Sequence, residues 1–132
     1  MVLGDTYGGV QAARRARGQA NYHAGQAAEA IVEQKYIRAG YRLAVRRWRG
    51  RCGEIDLIFT RDSIFAFVEV KSSRSHDAAA MLLGPRQQRR ILAAAAEYLA
   101  SADPAGQCEA RIDVSLVNHQ GQVKFLQNAI GH

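Results

Sequence analysis

The chain has 132 residues, 48% hydrophobic and 23% charged, the size and composition of one globular domain, which excludes a wholly disordered protein. No apolar run approaches the roughly 20 residues that span a bilayer, the first nine residues lack the basic start and apolar stretch of a secretory leader, and Cys52 and Cys108 are too few for a disulfide framework. A cytoplasmic domain with no membrane partner is therefore expected, and its net charge of +6, with fifteen arginines among eighteen bases, points to a polyanion such as nucleic acid, although a GC-rich genome would favour arginine too.

Residues 1–19 show no sustained period and read as a loose basic arm, which leaves 20–132 as a single domain. From residue 22 to 39 Ala24, Ala27, Ala28, Ile31, Val32, Tyr36 and Ala39 follow helical spacing, and Gly40 stands where a left-handed cap would fall. Strand patterns follow at 41–48, 54–60 and 64–71, the last two separated by the turn residues Arg61, Asp62 and Ser63. Residues 72–84 are alanine-rich and fit no element. Pro85 opens a second helix with Ile91, Leu92, Ala95, Tyr98, Leu99 and Ala102 on its buried face, and Asp103-Pro104-Ala105-Gly106 ends it. Two more strands, 111–118 and 122–126, flank His119-Gln120-Gly121. The order is helix, three strands, helix, two strands, an α/β chain.

The chemistry gathers on the second and third strands. If Asp62 and Ser63 form a two-residue hairpin loop, Arg61 pairs with Ile64 and paired positions sum to 125. Asp56 then lies across from Glu69, with Cβ atoms about 5 Å apart, and Lys71 shares their face. The opposite face carries Ile55, Leu57 and Phe59 against Ala66, Val68 and Val70. Two carboxylates set opposite each other repel, so something must offset them. Either Lys71 neutralises one acid while water solvates the other, or the pair holds a divalent cation such as Mg²⁺, a hard, oxygen-seeking ion.

The runs Gly53-Glu54-Ile55-Asp56-Leu57-Ile58 and Phe67-Val68-Glu69-Val70-Lys71 supply an acid on one strand and Glu-x-Lys on the next. With Gly25-Gln26-Ala27-Ala28-Glu29-Ala30, Gly40-Tyr41 and Phe125-Leu126-Gln127-Asn128-Ala129-Ile130, they resemble the YraN family, small bacterial proteins grouped with the PD-(D/E)xK, or restriction-endonuclease-like, nucleases. The resemblance implies an αβββαβ core, a mixed central sheet flanked by helices. It implies that Asp56, Glu69 and the Val70 carbonyl bind Mg²⁺ or Mn²⁺, that Lys71 is the catalytic lysine, and that Glu29 is the acid contributed by the first helix. Read from the residues alone, Glu29 is an ordinary glutamate flanking the apolar face. The sequence departs from the family pattern at Ser73, where a basic residue is usual, and at Gln87, where a lysine is usual. Gln87 or Gln88 would then be the polar residue that the second helix places near the metal.

Between Glu33 and Glu54 there are seven bases and no acid. Arg46, Arg47, Arg49 and Arg51, with Trp48 as a stacking surface, form the candidate phosphate-binding stretch. The same charges would equally suit a solvated edge strand. Arg86, Arg89 and Arg90 make a second basic cluster, of which Arg89 joins Gln87 and Gln88 as a candidate contact. Cys52 reads as a small core or loop thiol, and His23, His76, His119 and His132 have no ligating spacing. The expected activity is metal-dependent hydrolysis of DNA in preference to RNA, with branched or damaged DNA among the substrates. Junction-resolving members of that superfamily act as dimers, so the superfamily resemblance implies a homodimer. A protein that keeps the nuclease fold only to grip nucleic acid is the alternative, and a basic scaffold for a protein partner is a third.

Overall fold

The computed structural model describes residues 25–130, so the expected basic arm at 1–19 and the first turn expected at 22–24 lie outside the described residues. Helix α1 (25–38) buries Ala28, Val32 and Tyr36, four residues apart and so on one face. It ends where the sequence indicates. Gly40 takes φ +94°, and the N–H groups of Gly40 and Tyr41 return to the carbonyls of Ile37 and Tyr36. That double bond pattern is the Schellman cap, for which glycine's freedom at positive φ is needed.

Strands β1 (Arg42–Arg49), β2 (Glu54–Arg61) and β3 (Ile64–Ser72) form an antiparallel meander, joined by β4 (Glu109–Val117) and β5 (Val123–Leu126) in the order β1-β2-β3-β4-β5. β4 runs parallel to β3, which requires a crossover. Helix α3 (Pro85–Ala102) supplies it, with Pro85 in its first turn. The unassigned alanine-rich stretch contains a short helix, α2 (His76–Ala80), capped by the Ser75 side chain, which accepts from the Ala78 N–H. The αβββαβ order is thus present, with α2 inserted and β5 appended.

Both sheet faces are covered. On one, α1 packs Val32 and Tyr36 against Leu57, Phe59, Ala66 and Val68. On the other, Ile91, Ala94 and Ala95 of α3 cover Ile55, Ile58, Phe67, Ile112, Val114 and Leu116. The expectation that Ile55 faces the same way as Leu57 is therefore corrected, since Ile55 lies with Ile58, three residues on. Strict alternation fails between Ile55 and Leu57, at the level where Arg47 of β1 adopts φ +51°. Its neighbours pair as Arg46 with Leu57 and Trp48 with Ile55, so the left-handed residue lies opposite Asp56 and turns the pleat there.

Beneath α1 sits a buried polar group. Asp113, 1% exposed, accepts from Tyr36 Oη at 2.7 Å, from Arg111 Nε and Nη2 at 2.9 Å each, and from the Asn128 N–H at 2.9 Å. Burial first, then the Asp113 carboxylate, holds the Tyr36 phenol far above its ordinary range. Asp113→Ala would leave the Arg111 charge and the Tyr36 hydroxyl without their acceptor. We expect a loss of about 3–5 kcal/mol in unfolding free energy by urea titration; a loss below about 1 kcal/mol would show that water replaces the carboxylate.

Candidate active site

The β2–β3 ladder runs from Arg61↔Ile64 to Leu57↔Val68, every pair summing to 125, with Asp62 in the left-handed conformation at the turn. One step further the next two positions in register are Asp56 and Glu69. Here the strands part. The Val70 N–H donates to Asp56 Oδ2 at 2.8 Å, a side-chain acceptor where a continuing ladder would use a backbone carbonyl. The opening forms a cleft of about 580 Å³ lined by Asp56, Glu69 and Lys71 from the sheet, Gly53 and Glu54 beside them, and Arg86, Gln87 and Arg90 from the start of α3.

Glu69 is the most constrained group in it. Only 4% of the residue is exposed; Oε1 accepts from Gln87 Nε2 at 3.1 Å and lies 3.3 Å from Lys71 Nζ. Burial, then the neighbouring Asp56 charge, push its carboxyl up to about 8, against the pull of Lys71. Burial raises the Asp56 carboxyl as well, opposed mainly by the Val70 N–H. Without a cation, burial and the mutual repulsion of the pair therefore favour the protonated form of Glu69.

This donor set fits a hard divalent ion. Two carboxylates that repel each other in a cleft gain from a cation between them, and Mg²⁺ is commonly held by one or two carboxylates with water completing its shell. Among the described residues no three His, Cys, Asp or Glu side chains converge as a metal site, so the remaining ligands would be water, backbone or phosphate oxygens. Glu29 is close enough for its charge to be felt with that of Asp56, yet it lines a neighbouring depression with Glu33, Arg46, Arg47 and Leu57. Its Oε2 is paired with Arg47 Nη2 at 2.9 Å. Burial raises its carboxyl in spite of the Arg47 hydrogen bond.

The model of Uncharacterised protein family UPF0102 matches residues 28–117, from α1 through β4 and across all of these acids and the lysine. The chain belongs to this family. It is 52% identical to a UPF0102 protein of Ruegeria pomeroyi over 88% of this chain and 94% of that one. A Cereibacter sphaeroides relative is 50% identical over 85% and 96% respectively, and one from Rhodopseudomonas palustris 44% over 74% and 75%.

Around the UPF0102 cleft the basic residues divide into two groups. On β1, Arg46 grips Glu33 through two hydrogen bonds of 2.6 and 2.8 Å, Arg47 holds Glu29, and Arg49 meets Glu54 at 3.1 Å. The Arg51 and Cys52 amides are fixed by the Glu97 carboxylate, and Cys52 is exposed in its loop. Trp48 is half-buried, edge-on to Tyr98 at 5.3 Å, so its ring belongs to the core under α3. On α3, Gln87 reaches Glu69, while the Gln88 side-chain amide turns back to donate to the Leu83 carbonyl. Arg89 is exposed and lies off the cleft, whereas Arg86 and Arg90 line it. Helical spacing separates these arginines, because positions 86, 87 and 90 share a face that 89 does not.

The raised Glu69 carboxyl sets a pH dependence. Its folded value lies above the ordinary 4.5, so the folded state retains a proton that the unfolded chain releases, and stability falls as pH rises from about 4.5 to about 8. Glu69→Gln should flatten that fall, whose limit is about 1.4 kcal/mol per pH unit for one proton. Mg²⁺ or Mn²⁺ should raise the melting temperature more at pH 8 than at pH 6, and Asp56→Asn should abolish the response. A melting temperature indifferent to both ions at pH 8 would remove the metal site.

Proposed function

We propose that this UPF0102 chain is a metal-dependent nuclease domain that hydrolyses phosphodiester bonds in DNA. The observation that carries this reading is the buried Glu69 carboxylate, set beside Asp56, touched by Lys71 and opening into a cleft flanked by arginines. Asp56 and Glu69 would hold Mg²⁺ or Mn²⁺, with the Val70 carbonyl as a further oxygen donor. When bound, the ion supplies Lewis-acid polarisation of the phosphate and acidifies water at neutral pH.

The remaining work belongs to side chains. Gln87 fixes the rotamer of Glu69 by donating to Oε1, so that the carboxylate keeps one orientation while its protonation changes. Arg86 and Arg90 face the cleft from the first turns of α3, where they suit phosphates on either side of the reacting one. Lys71, with its side chain 19% exposed, reaches the cleft from the Glu69 face. Its charge would stabilise the phosphoryl oxygens as negative charge grows on them, an effect larger in the transition state than in the bound substrate.

A non-catalytic DNA-binding role is the competing reading, and one observation favours it. Glu29, the acid implied for the first helix, is engaged by Arg47 and lines a separate depression.

Lys71→Met keeps the aliphatic stem and removes the charge. Single-turnover cleavage by this variant should fall by about 10²–10³-fold, with DNA affinity changed by less than about threefold, since one contact among several is lost. The substrates are linear, single-stranded and branched DNA and RNA, each with Mg²⁺ and with Mn²⁺. Cleavage at the wild-type rate would make Lys71 structural. Binding without cleavage by the wild type across the whole panel would establish the binding role instead.

A further inference from the structure

The turn between α2 and α3 carries two outward apolar side chains beside the cleft. Met81 is 85% exposed and Leu82 52%, while the next residue, Leu83, packs into the core and Gly84 lines the cleft. The backbone beneath them is held. The N–H groups of Met81, Leu82 and Leu83 donate to the carbonyls of Asp77, Ala79 and Ala80, so both side chains are presented outward by a hydrogen-bonded turn.

The chain on either side of the turn is basic. Arg74, Arg86, Arg89 and Arg90 are exposed, and none is in an ion pair among the described residues. Asp77 is the only acid between residues 70 and 96. A stable protein interface needs about 800 Å² from each partner, and two side chains flanked in the chain by arginines supply a small part of that. A nucleic acid makes a different demand: one or two side chains such as Leu or Met inserted at a base step, with cations for the flanking phosphates.

We propose that Met81 and Leu82 form an apolar wedge that enters the base stack of a nucleic acid lying across the Asp56–Glu69 cleft. The proposal rests on reading that cleft as a nuclease site, and it names the substrate class. Insertion costs the unstacking of a step, which is smallest where stacking is already broken. The preferred substrate is therefore DNA with a branch point, a gap or a mismatch, positioned so that the interruption lies at the turn and the reacting phosphate in the cleft.

The test uses 2-aminopurine, which brightens when unstacked, at the branch point of a three-way DNA junction and within a continuous duplex of the same sequence. The full chain is titrated in without divalent cation, so that nothing is cleaved. Wild type should bind the junction about tenfold more tightly than the duplex, with a rise in fluorescence. The double variant Met81→Ser, Leu82→Ser, melting at the wild-type temperature, should lose the rise and bring the two affinities within about threefold. Leu82→Phe, which keeps an apolar group of similar reach, should retain both. Wild-type binding without a rise, or a double variant that keeps rise and preference, overturns the wedge and leaves the nuclease reading standing. No binding to any nucleic acid overturns both. A wild-type dimer that the double variant dissociates assigns the turn to a second copy of the chain, and likewise overturns the wedge.

Discussion

The place where β2 and β3 stop pairing governs everything at the cleft. Up to Leu57 and Val68 the two strands exchange backbone hydrogen bonds; beyond it the Val70 N–H is satisfied by the Asp56 carboxylate. A buried N–H left without an acceptor would cost about as much as a lost hydrogen bond, so the side chain makes the separation of the strands tolerable. That same bond fixes Asp56 next to Glu69 and helps to keep it ionisable against burial. The left-handed backbone at Arg47, opposite Asp56 on the neighbouring strand, turns the pleat at the same level. The β2–β3 pairing thus ends, and β1 turns, at the level where the carboxylates meet, while β3 stays paired with β4, and the cleft lies there between the sheet and the first turns of α3.

Charge is distributed unevenly around that room. Arg46, Arg47 and Arg49 on β1 already have carboxylate partners in Glu33, Glu29 and Glu54, so much of their field is cancelled locally. Arg86 and Arg90 face the cleft with no ion pair among the described residues. The run of bases that dominates the sequence is therefore the run most engaged in ion pairs in the fold. The longest run of bases is the more neutralised surface, and the shorter cluster on α3 contributes more of the attraction for an anion in the cleft.

Much of this was legible in the chain, for reasons that can be traced. The two-residue turn at Asp62 and Ser63, between alternating strands, sets the register, and the register sets Asp56 against Glu69. Gly40, Pro85 and the Asp103-Pro104 pair mark helix ends because each has a backbone preference independent of tertiary context. Helix α2 was not legible, since five residues without periodicity acquire their structure from the Ser75 cap and the burial of Ala79. The face of Ile55 was misread because alternation assumes an unbroken pleat, and Arg47 carries no glycine to announce a left-handed residue. The ion pairs of Arg46 and Arg47 were hidden too, because they require α1 to lie against β1, a contact that no local pattern in the sequence encodes.

The connectivity also divides the cleft into a local half and a non-local half. Asp56 and Glu69 belong to one hairpin closed by two residues, a contact whose loop-closure entropy is small. Arg86, Gln87 and Arg90 arrive only with the parallel crossover, which must bring β4 (Glu109–Val117) alongside β3 (Ile64–Ser72) and is entropically slower to close. In the early hairpin the two carboxylates face water and their repulsion is weak. The repulsion becomes costly only as α3 docks and strips that water away. Burial of the pair under α3 is therefore what favours a proton on Glu69, coupling completion of the cleft to the charge state of the acidic pair.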